Sequence, residues 1–126
     1  MNIETIFKKN PLILAPMAGI TDYPFRRIAR DAGAGLVCAE MVSANGLVYD
    51  SDKTHEMLFR TNDETPLSIQ IFGANSDIMA DAAAIVENAG ADVIDINFGC
   101  SVKKILKSNS GSALMADLKL CERIIS

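Results

Sequence analysis

The stretch PLSIQIFGANSDIMADAAAIVENAGADVIDINFGC, residues 66–100, carries the pattern of one complete strand-helix-strand unit. Residues 67–72 alternate apolar with polar side chains, as strands do, and residues 93–98 repeat the alternation. Between them, apolar residues recur at helical spacing after Ser76 and stop at Gly90, a residue type that commonly ends helices. Two strands joined through a helix are typical of a parallel sheet, so this stretch predicts an α/β fold.

The same order of elements precedes this unit. Residues 12–16 predict a first strand, and the next segment predicts a helix that starts at residues 21–22, has Pro24 in its first turn and ends at Gly33. A second strand is predicted over residues 36–41. The apolar residues of the first helix lie at helical spacing: Phe25, Ile28, Ala29 and Ala32.

Two segments are less regular. Residues 42–62 lack a long periodicity and hold the single histidine, so we predict short helices and loop there, with His55 in a surface or packing role. After the fourth strand, a basic loop and a turn rich in Ser, Asn and Gly lead to a last helix from about Ser112. A break in that helix is predicted near Asp117.

The spacing of the strands favours a barrel. The four predicted strands begin near residues 12, 36, 67 and 92, and eight such units approach the roughly 250 residues of a (β/α)8 TIM barrel. We therefore predict that residues 1–126 form the first four βα units of such a barrel, a half-barrel. The last apolar positions still follow a helical period at Ser126, which predicts a chain cut inside its fourth unit.

The composition limits the kinds of protein this chain can be. Its formal charge of -4 and pI near 4.9 disfavour a surface that attracts nucleic acid everywhere, so any RNA contact must be local. The three cysteines have no CxxC spacing, which disfavours a disulfide framework or a zinc site and favours a reducing cytoplasm. The sequence has neither a signal-peptide pattern nor an apolar run of membrane length, which predicts a soluble cytoplasmic protein.

Polar side chains interrupt the last three predicted strands. Glu40 lies on the second, Ser68 and Gln70 on the third, and Asp95 and Asn97 on the fourth. In a barrel such side chains line the interior, and catalytic groups gather at the carboxyl ends of the strands. Ser68 and Asp95 are either site residues or satisfied interior groups that only hold neighbouring segments. The amides of Gln70 and Asn97 suit a ring edge with adjacent N–H and C=O groups, as in a flavin or a pyrimidine.

Cys100 directly follows Gly99 at the end of the fourth strand, where a thiol can point across the barrel mouth. Thiols are mostly protonated at neutral pH and can donate a proton. Cys38 and Cys121 lie in apolar patterns and are interpreted as structural. The lysines beyond Cys100 form either a basic edge that meets phosphates or a solvated loop: Lys103, Lys104 and Lys107.

Three motifs, in order, resemble those of the tRNA-dihydrouridine synthases: PMAGITD at residues 16–22, SIQIFG at residues 68–73, and DINFGCSVKKILKSNSGSAL at residues 95–114. Together they are specific and span nearly the whole chain. The resemblance implies a TIM-barrel flavoenzyme in which Pro16, Met17 and Ala18 lie against the ring of FMN and Gln70 hydrogen-bonds to it.

The resemblance also implies a reaction. NADPH reduces FMN, hydride passes to C6 of a uracil flipped out of tRNA, and Cys100 protonates C5 to give 5,6-dihydrouridine. Asn97 faces flavin or uracil, and Lys103 and Lys104 meet the RNA. No metal is needed. The chain has Ser101 where the family usually has proline, which implies a less rigid loop after the thiol.

The family's later lysine and histidine, its phosphate-binding loops and its helical RNA-binding domain have no counterpart in this sequence. We therefore expect weak or no FMN binding by these residues alone. Two alternatives remain open. One is another FMN barrel, such as a dihydroorotate dehydrogenase; the other is an inactive half-barrel that self-associates through its first and fourth strands.

Overall fold

A computed structural model describes residues 2–126. The strands are β1 (Ile13–Leu14), β2 (Leu36–Cys38), β3 (Val42–Ser43), β4 (Leu67–Phe72) and β5 (Val93–Ile96). The α-helices are α1 (Ile3–Lys9), α2 (Tyr23–Asp31), α3 (Ala44–Val48), α4 (Asp52–Glu56), α5 (Ser76–Asn88), α6 (Lys103–Leu106) and α7 (Leu118–Ile125). Two segments, Asn62–Glu64 and Gly111–Ala116, are 3-10 helices.

The strands form one parallel sheet that is not closed. β1 pairs with β2, β2 and β3 both pair with β4, and β4 pairs on its other side with β5, so the sheet follows chain order. Within the described residues, β1 and β5 each leave an edge unpaired. The predicted α/β fold with consecutive parallel strands is thus confirmed, and four βα units cover the sheet.

The second strand differs from its prediction. Cys38 pairs with Ser68 and Val42 with Ile71, so four steps along this strand match three along β4. The extra residue forms a bulge that interrupts the predicted strand 36–41 after β2. Pairing with β4 resumes in β3 and ends at Ser43, two residues beyond the predicted end. β1 and β5, which correspond to the first and fourth predicted strands, are shorter than predicted. β4, the third predicted strand, has the predicted bounds.

The core lies between β4 and the helices that cover it. Leu67, Ile69 and Ile71 of β4 are fully buried, and they share one apolar cluster with Met79 and Val86 of α5. The pleat sends alternate β4 side chains to opposite faces, so Ser68 and Gln70 point away from this cluster. The apolar packing of α5 therefore fixes which face of β4 carries the polar residues.

The buried face of α2 differs in part from the one that its apolar spacing indicates. Ile28 is 67% exposed, whereas Arg26 is only 3% exposed. The Arg26 guanidinium donates to Glu64 Oε1 at 2.5 Å, to the Thr21 carbonyl at 2.9 Å and to the Phe59 carbonyl at 3.0 Å. A fully paired guanidinium tolerates burial, and this one ties the start of α2 to the segments beside it.

The prediction contains no helix before the first strand, where α1 lies. Its start is capped by Asn2, whose side chain accepts from the Glu4 N–H at 2.9 Å, and Ile6 buries its apolar side. At its end Asn10 donates to the Gly33 carbonyl and accepts from the Leu12 N–H. This helix therefore packs at the amino ends of the strands, away from the polar residues of β4 and β5.

The predicted break in the last helix is confirmed. The 3-10 segment Gly111–Ala116 ends at Asp117, whose carboxylate accepts from the Leu120 N–H at 3.0 Å and so caps α7. Every helix in residues 2–126 is too short or too polar to cross a lipid bilayer.

Candidate active site

Three polar side chains meet where β4 and β5 end. Gln70 pairs in register with Asp95 on the neighbouring strand, and its Nε2 donates to Asp95 Oδ2 at 2.6 Å. Asn97, one residue beyond β5, donates from Nδ2 to Gln70 Oε1 at 2.7 Å. Gln70 and Asp95 are half-buried and Asn97 is buried, so these bonds are partly shielded from water. The two amides named from the sequence therefore form one hydrogen-bonded chain.

Cys100 joins this chain through its backbone. Its N–H donates to Asn97 Oδ1 at 3.0 Å, while its carbonyl accepts from the Ser112 N–H at 2.9 Å. Gly111 lets the two segments meet, since a Cβ there would lie 2.5 Å from the Cys100 carbonyl oxygen. The backbone of Cys100 is thus held on both sides while its thiol remains partly exposed.

The segment 16–22 follows β1 at the same edge of the sheet. Buried Thr21 closes it into a turn, because its hydroxyl accepts from the Met17 N–H at 3.0 Å and donates to the Met17 carbonyl at 3.2 Å. The Gly19 N–H donates to the Glu40 carboxylate at the end of the second strand. Pro16, Met17 and Ala18 lie in this fixed turn, but no hydrogen bond links them to Gln70 or Asn97.

Lys103 and Lys104 lie in α6, close beyond Cys100 in the chain. Both are exposed, and neither forms an ion pair within residues 2–126. The next residue, Ile105, is buried and would contact a Cβ at position 111. The lysines therefore sit on a short helix that is anchored to the same segment that holds Cys100.

Cys38 is buried on β2 and pairs in register with Ser68 of β4. Burial raises the pKa of its thiol, while a hydrogen bond with Ser68 acts in the opposite direction and the charge of Asp95 adds to the increase. Ser68 is itself buried, on the face of β4 that carries Gln70. His55, for which a surface or packing role was predicted, is partly exposed, and its Nε2 lies 3.1 Å from the Leu47 carbonyl oxygen.

Sequence reasoning placed Glu40 among the polar residues that line the interior, and it assigned no role to Gly111 or Ser112. Glu40 stands out only as an acid between Ala39 and Met41, and nothing local indicates that it binds a backbone N–H 21 residues away. The contact of Gly111 with Cys100 likewise spans a turn and a helix. In residues 2–126 no three acidic, histidine or cysteine side chains come together as a metal-ligand set.

The chain is similar in sequence to known proteins. A sequence profile of the dihydrouridine synthase family matches residues 13–126. The chain is 46% identical over 116 residues to tRNA-dihydrouridine synthase B of Pseudomonas syringae pv. tomato, which covers 92% of this chain and 34% of that protein. It is 44% identical over 125 residues to the protein of the same name from Shewanella oneidensis, covering 99% of this chain and 39% of that one.

The protein of the same name from Proteus vulgaris is 44% identical over 126 residues, which is 100% of this chain and 39% of that protein. The chain thus spans little more than a third of the length of these relatives. With the profile matching almost all of its residues, the chain belongs to the dihydrouridine synthase family.

Proposed function

We propose that this chain is the N-terminal half of the FMN-binding barrel of a tRNA-dihydrouridine synthase, an oxidoreductase that reduces uridine in tRNA to 5,6-dihydrouridine with NADPH. Relatives named tRNA-dihydrouridine synthase B align along the whole chain and extend well beyond it. The remainder of such a protein would supply the second half of the barrel and a helical RNA-binding domain. The family match favours this reaction over that of a dihydroorotate dehydrogenase.

The residues of the site fit a flavin. Pro16, Met17 and Ala18 offer a small, largely apolar surface in a turn fixed by Thr21. Gln70 uses one of its two Nε2 hydrogens for Asp95, which leaves the other for an acceptor on the ring. Bound FMN would supply the hydride that adds to C6 of the uracil.

Cys100 is the proposed general acid, whose Sγ proton goes to C5 of the uracil. The observation that carries this proposal is the two-sided hold on the Cys100 backbone, from Asn97 on one side and Ser112 on the other. A proton donor must be aimed within hydrogen-bond reach of the atom it protonates, and fixed backbone on both sides limits where the thiol points. Asn97, next to it, is proposed to face flavin or uracil.

The test uses a protein of the relatives' full length that contains this segment. Cys100→Ala should lower dihydrouridine formation by roughly 100-fold or more, the usual contribution of a general acid, with FMN and tRNA binding retained. Mass spectrometry of digested tRNA measures the product, and Cys121→Ala is the matched control. Undiminished product in the Cys100 variant would refute the acid role.

Lys103 and Lys104 are proposed to bind tRNA phosphates, since both are exposed near Cys100 and neither forms an ion pair with any of residues 2–126. Replacing both with alanine should weaken tRNA binding and reduce the slope of log affinity against log salt by about one for each phosphate that is no longer bound. Lys119→Ala, on α7, is the control for a general loss of positive charge. An unchanged salt dependence in the double variant argues against phosphate binding by these lysines.

A second candidate is a self-associating half-barrel. The free edge of β1 exposes Leu12 and Ile13, and α7 exposes Leu118 and Ile125. Open parallel edges with apolar side chains favour pairing with another chain. Size-exclusion chromatography with light scattering on the 126-residue chain tests this: a cooperatively folded monomer at all concentrations counts against association.

A further inference from the structure

The hydrogen-bonded chain from Asp95 through Gln70 and Asn97 to Cys100 has two chemically distinct ends. The carboxylate oxygens of Asp95 can only accept hydrogen bonds, whereas the backbone N–H of Cys100 can only donate. The two amides between them can each turn either way. Each end therefore constrains the amide next to it, by chemistry and not by shape.

These two ends fix which group donates and which accepts in all three hydrogen bonds. Because Asp95 accepts, Gln70 must turn its Nε2 toward it, which leaves Gln70 Oε1 facing Asn97. Asn97 must then donate from Nδ2, which turns its Oδ1 to the N–H of Cys100. A flip of either amide would place two donors or two acceptors face to face at a distance of 3.0 Å or less.

We propose that Asp95 is a positioning residue that sets the orientation of both amides and, through Asn97, the backbone of Cys100. In this orientation the second Nε2 hydrogen of Gln70 remains for a ligand, so the site offers a donor to a carbonyl oxygen or an unprotonated ring nitrogen. The second Nδ2 hydrogen of Asn97 meets only the Met41 sulfur, at 3.7 Å, a weak acceptor. The identity of that ligand as flavin or uracil rests on the proposed function; the role of Asp95 in aiming Cys100 does not.

Asp95→Asn tests the proposal, because asparagine has nearly the same shape but can turn a donor toward Gln70. The amides would then populate both orientations, and the Cys100 N–H would lose its acceptor for part of the time. The matched control is Asp92→Asn, since the Asp92 carboxylate accepts from the Leu67 N–H at 2.9 Å and does not touch the amide chain. Both variants and the parent are compared as the ¹⁵N-labelled 126-residue chain.

Asp95→Asn should speed hydrogen exchange at the Cys100 amide by roughly three- to tenfold, the effect of one hydrogen bond. It should also shift the side-chain NH2 resonances of Gln70 and Asn97. Asp92→Asn should leave both readouts unchanged. If Asp95→Asn does not fold, Gln70→Met removes both hydrogen bonds of the middle residue, to Asp95 and to Asn97. It should give the same faster exchange at the Cys100 amide.

The proposal is overturned if Cys100 exchange and the NH2 resonances match those of the parent. It is also overturned if exchange rises equally at amides throughout β4 and β5, which is the result expected of a bond that only joins the two strands. Neither readout involves product formation, so the outcome is independent of whether Cys100→Ala abolishes dihydrouridine synthesis.

Discussion

Gly111→Ala should destabilise the fold by about 1.5–3.5 kcal/mol. Gly111 has a φ of +63°, a conformation that costs an alanine roughly 1–2 kcal/mol. The added Cβ would also lie 2.5 Å from the Cys100 carbonyl oxygen and 2.9 Å from Ile105 Cγ2. Relief of this overlap requires the Cys100 carbonyl to move off the Ser112 N–H, and breaking that hydrogen bond adds about 0.5–1.5 kcal/mol.

Gly19→Ala is the matched control. Gly19 has a φ of +74°, but a Cβ there would meet no atom within 4 Å, so it carries the conformational cost alone. Both variants gain equally from a stiffer unfolded chain, and that gain cancels in the comparison. In urea titrations the Gly111 variant should unfold at a midpoint lower than the Gly19 variant by about 0.3–1.5 M, for an m-value of about 1–2 kcal/mol/M. Equal midpoints would refute the close approach of Gly111 to Cys100.

Two further predictions concern buried groups. Glu64→Gln leaves the buried guanidinium of Arg26 without its counter-charge and should destabilise the fold by about 3–5 kcal/mol. The control, Asp31→Asn, breaks only an exposed pair with Arg27 and should cost less than about 1 kcal/mol. Thermal unfolding measures both variants. Burial raises the pKa of Cys38, so the folded chain keeps this proton to higher pH than the unfolded chain, and stability should fall as pH rises above about 8.5. Cys38→Ala should make that fall shallower by up to about 1.4 kcal/mol per pH unit, and Cys121→Ala should not; equal slopes in the two variants would contradict the Cys38 thiol as the source of the fall.

The parts of the fold that depend on local pattern were predictable. The bounds of β4, the extent of α5 and the break at Asp117 each follow from side-chain periodicity or a capping residue within a few positions. The bulge between Cys38 and Val42 was not predictable, since it depends on register with β4 and leaves no mark in the composition of the strand. The burial of Arg26 on α2 was missed for a similar reason, because the partner that allows it, Glu64, lies 38 residues away.

In the site, too, local pattern predicted which residues take part but not the bonds between them. Strand alternation brings Gln70 and Asn97 to one face, and the motif order singles out Cys100, but neither indicates how these residues are linked. Those links are three hydrogen bonds of 2.6–3.0 Å between groups 3 to 27 residues apart. Asp95, which the pattern leaves between a site role and a structural one, proves to bond directly to Gln70.

The hold on Cys100 connects stability with the proposed chemistry. Its N–H is bound by Asn97, which belongs to the end of β5, and its carbonyl by Ser112, which belongs to the segment before α7. A change in either segment therefore moves the thiol without touching it. Substitutions at Gly111 should lower product formation by more than their effect on stability explains, because the first structure they displace is the Cys100 carbonyl. In a full-length protein at a temperature where both variants are folded, Gly111→Ala should thus lose far more activity than Glu64→Gln, although the latter is expected to lose as much stability or more.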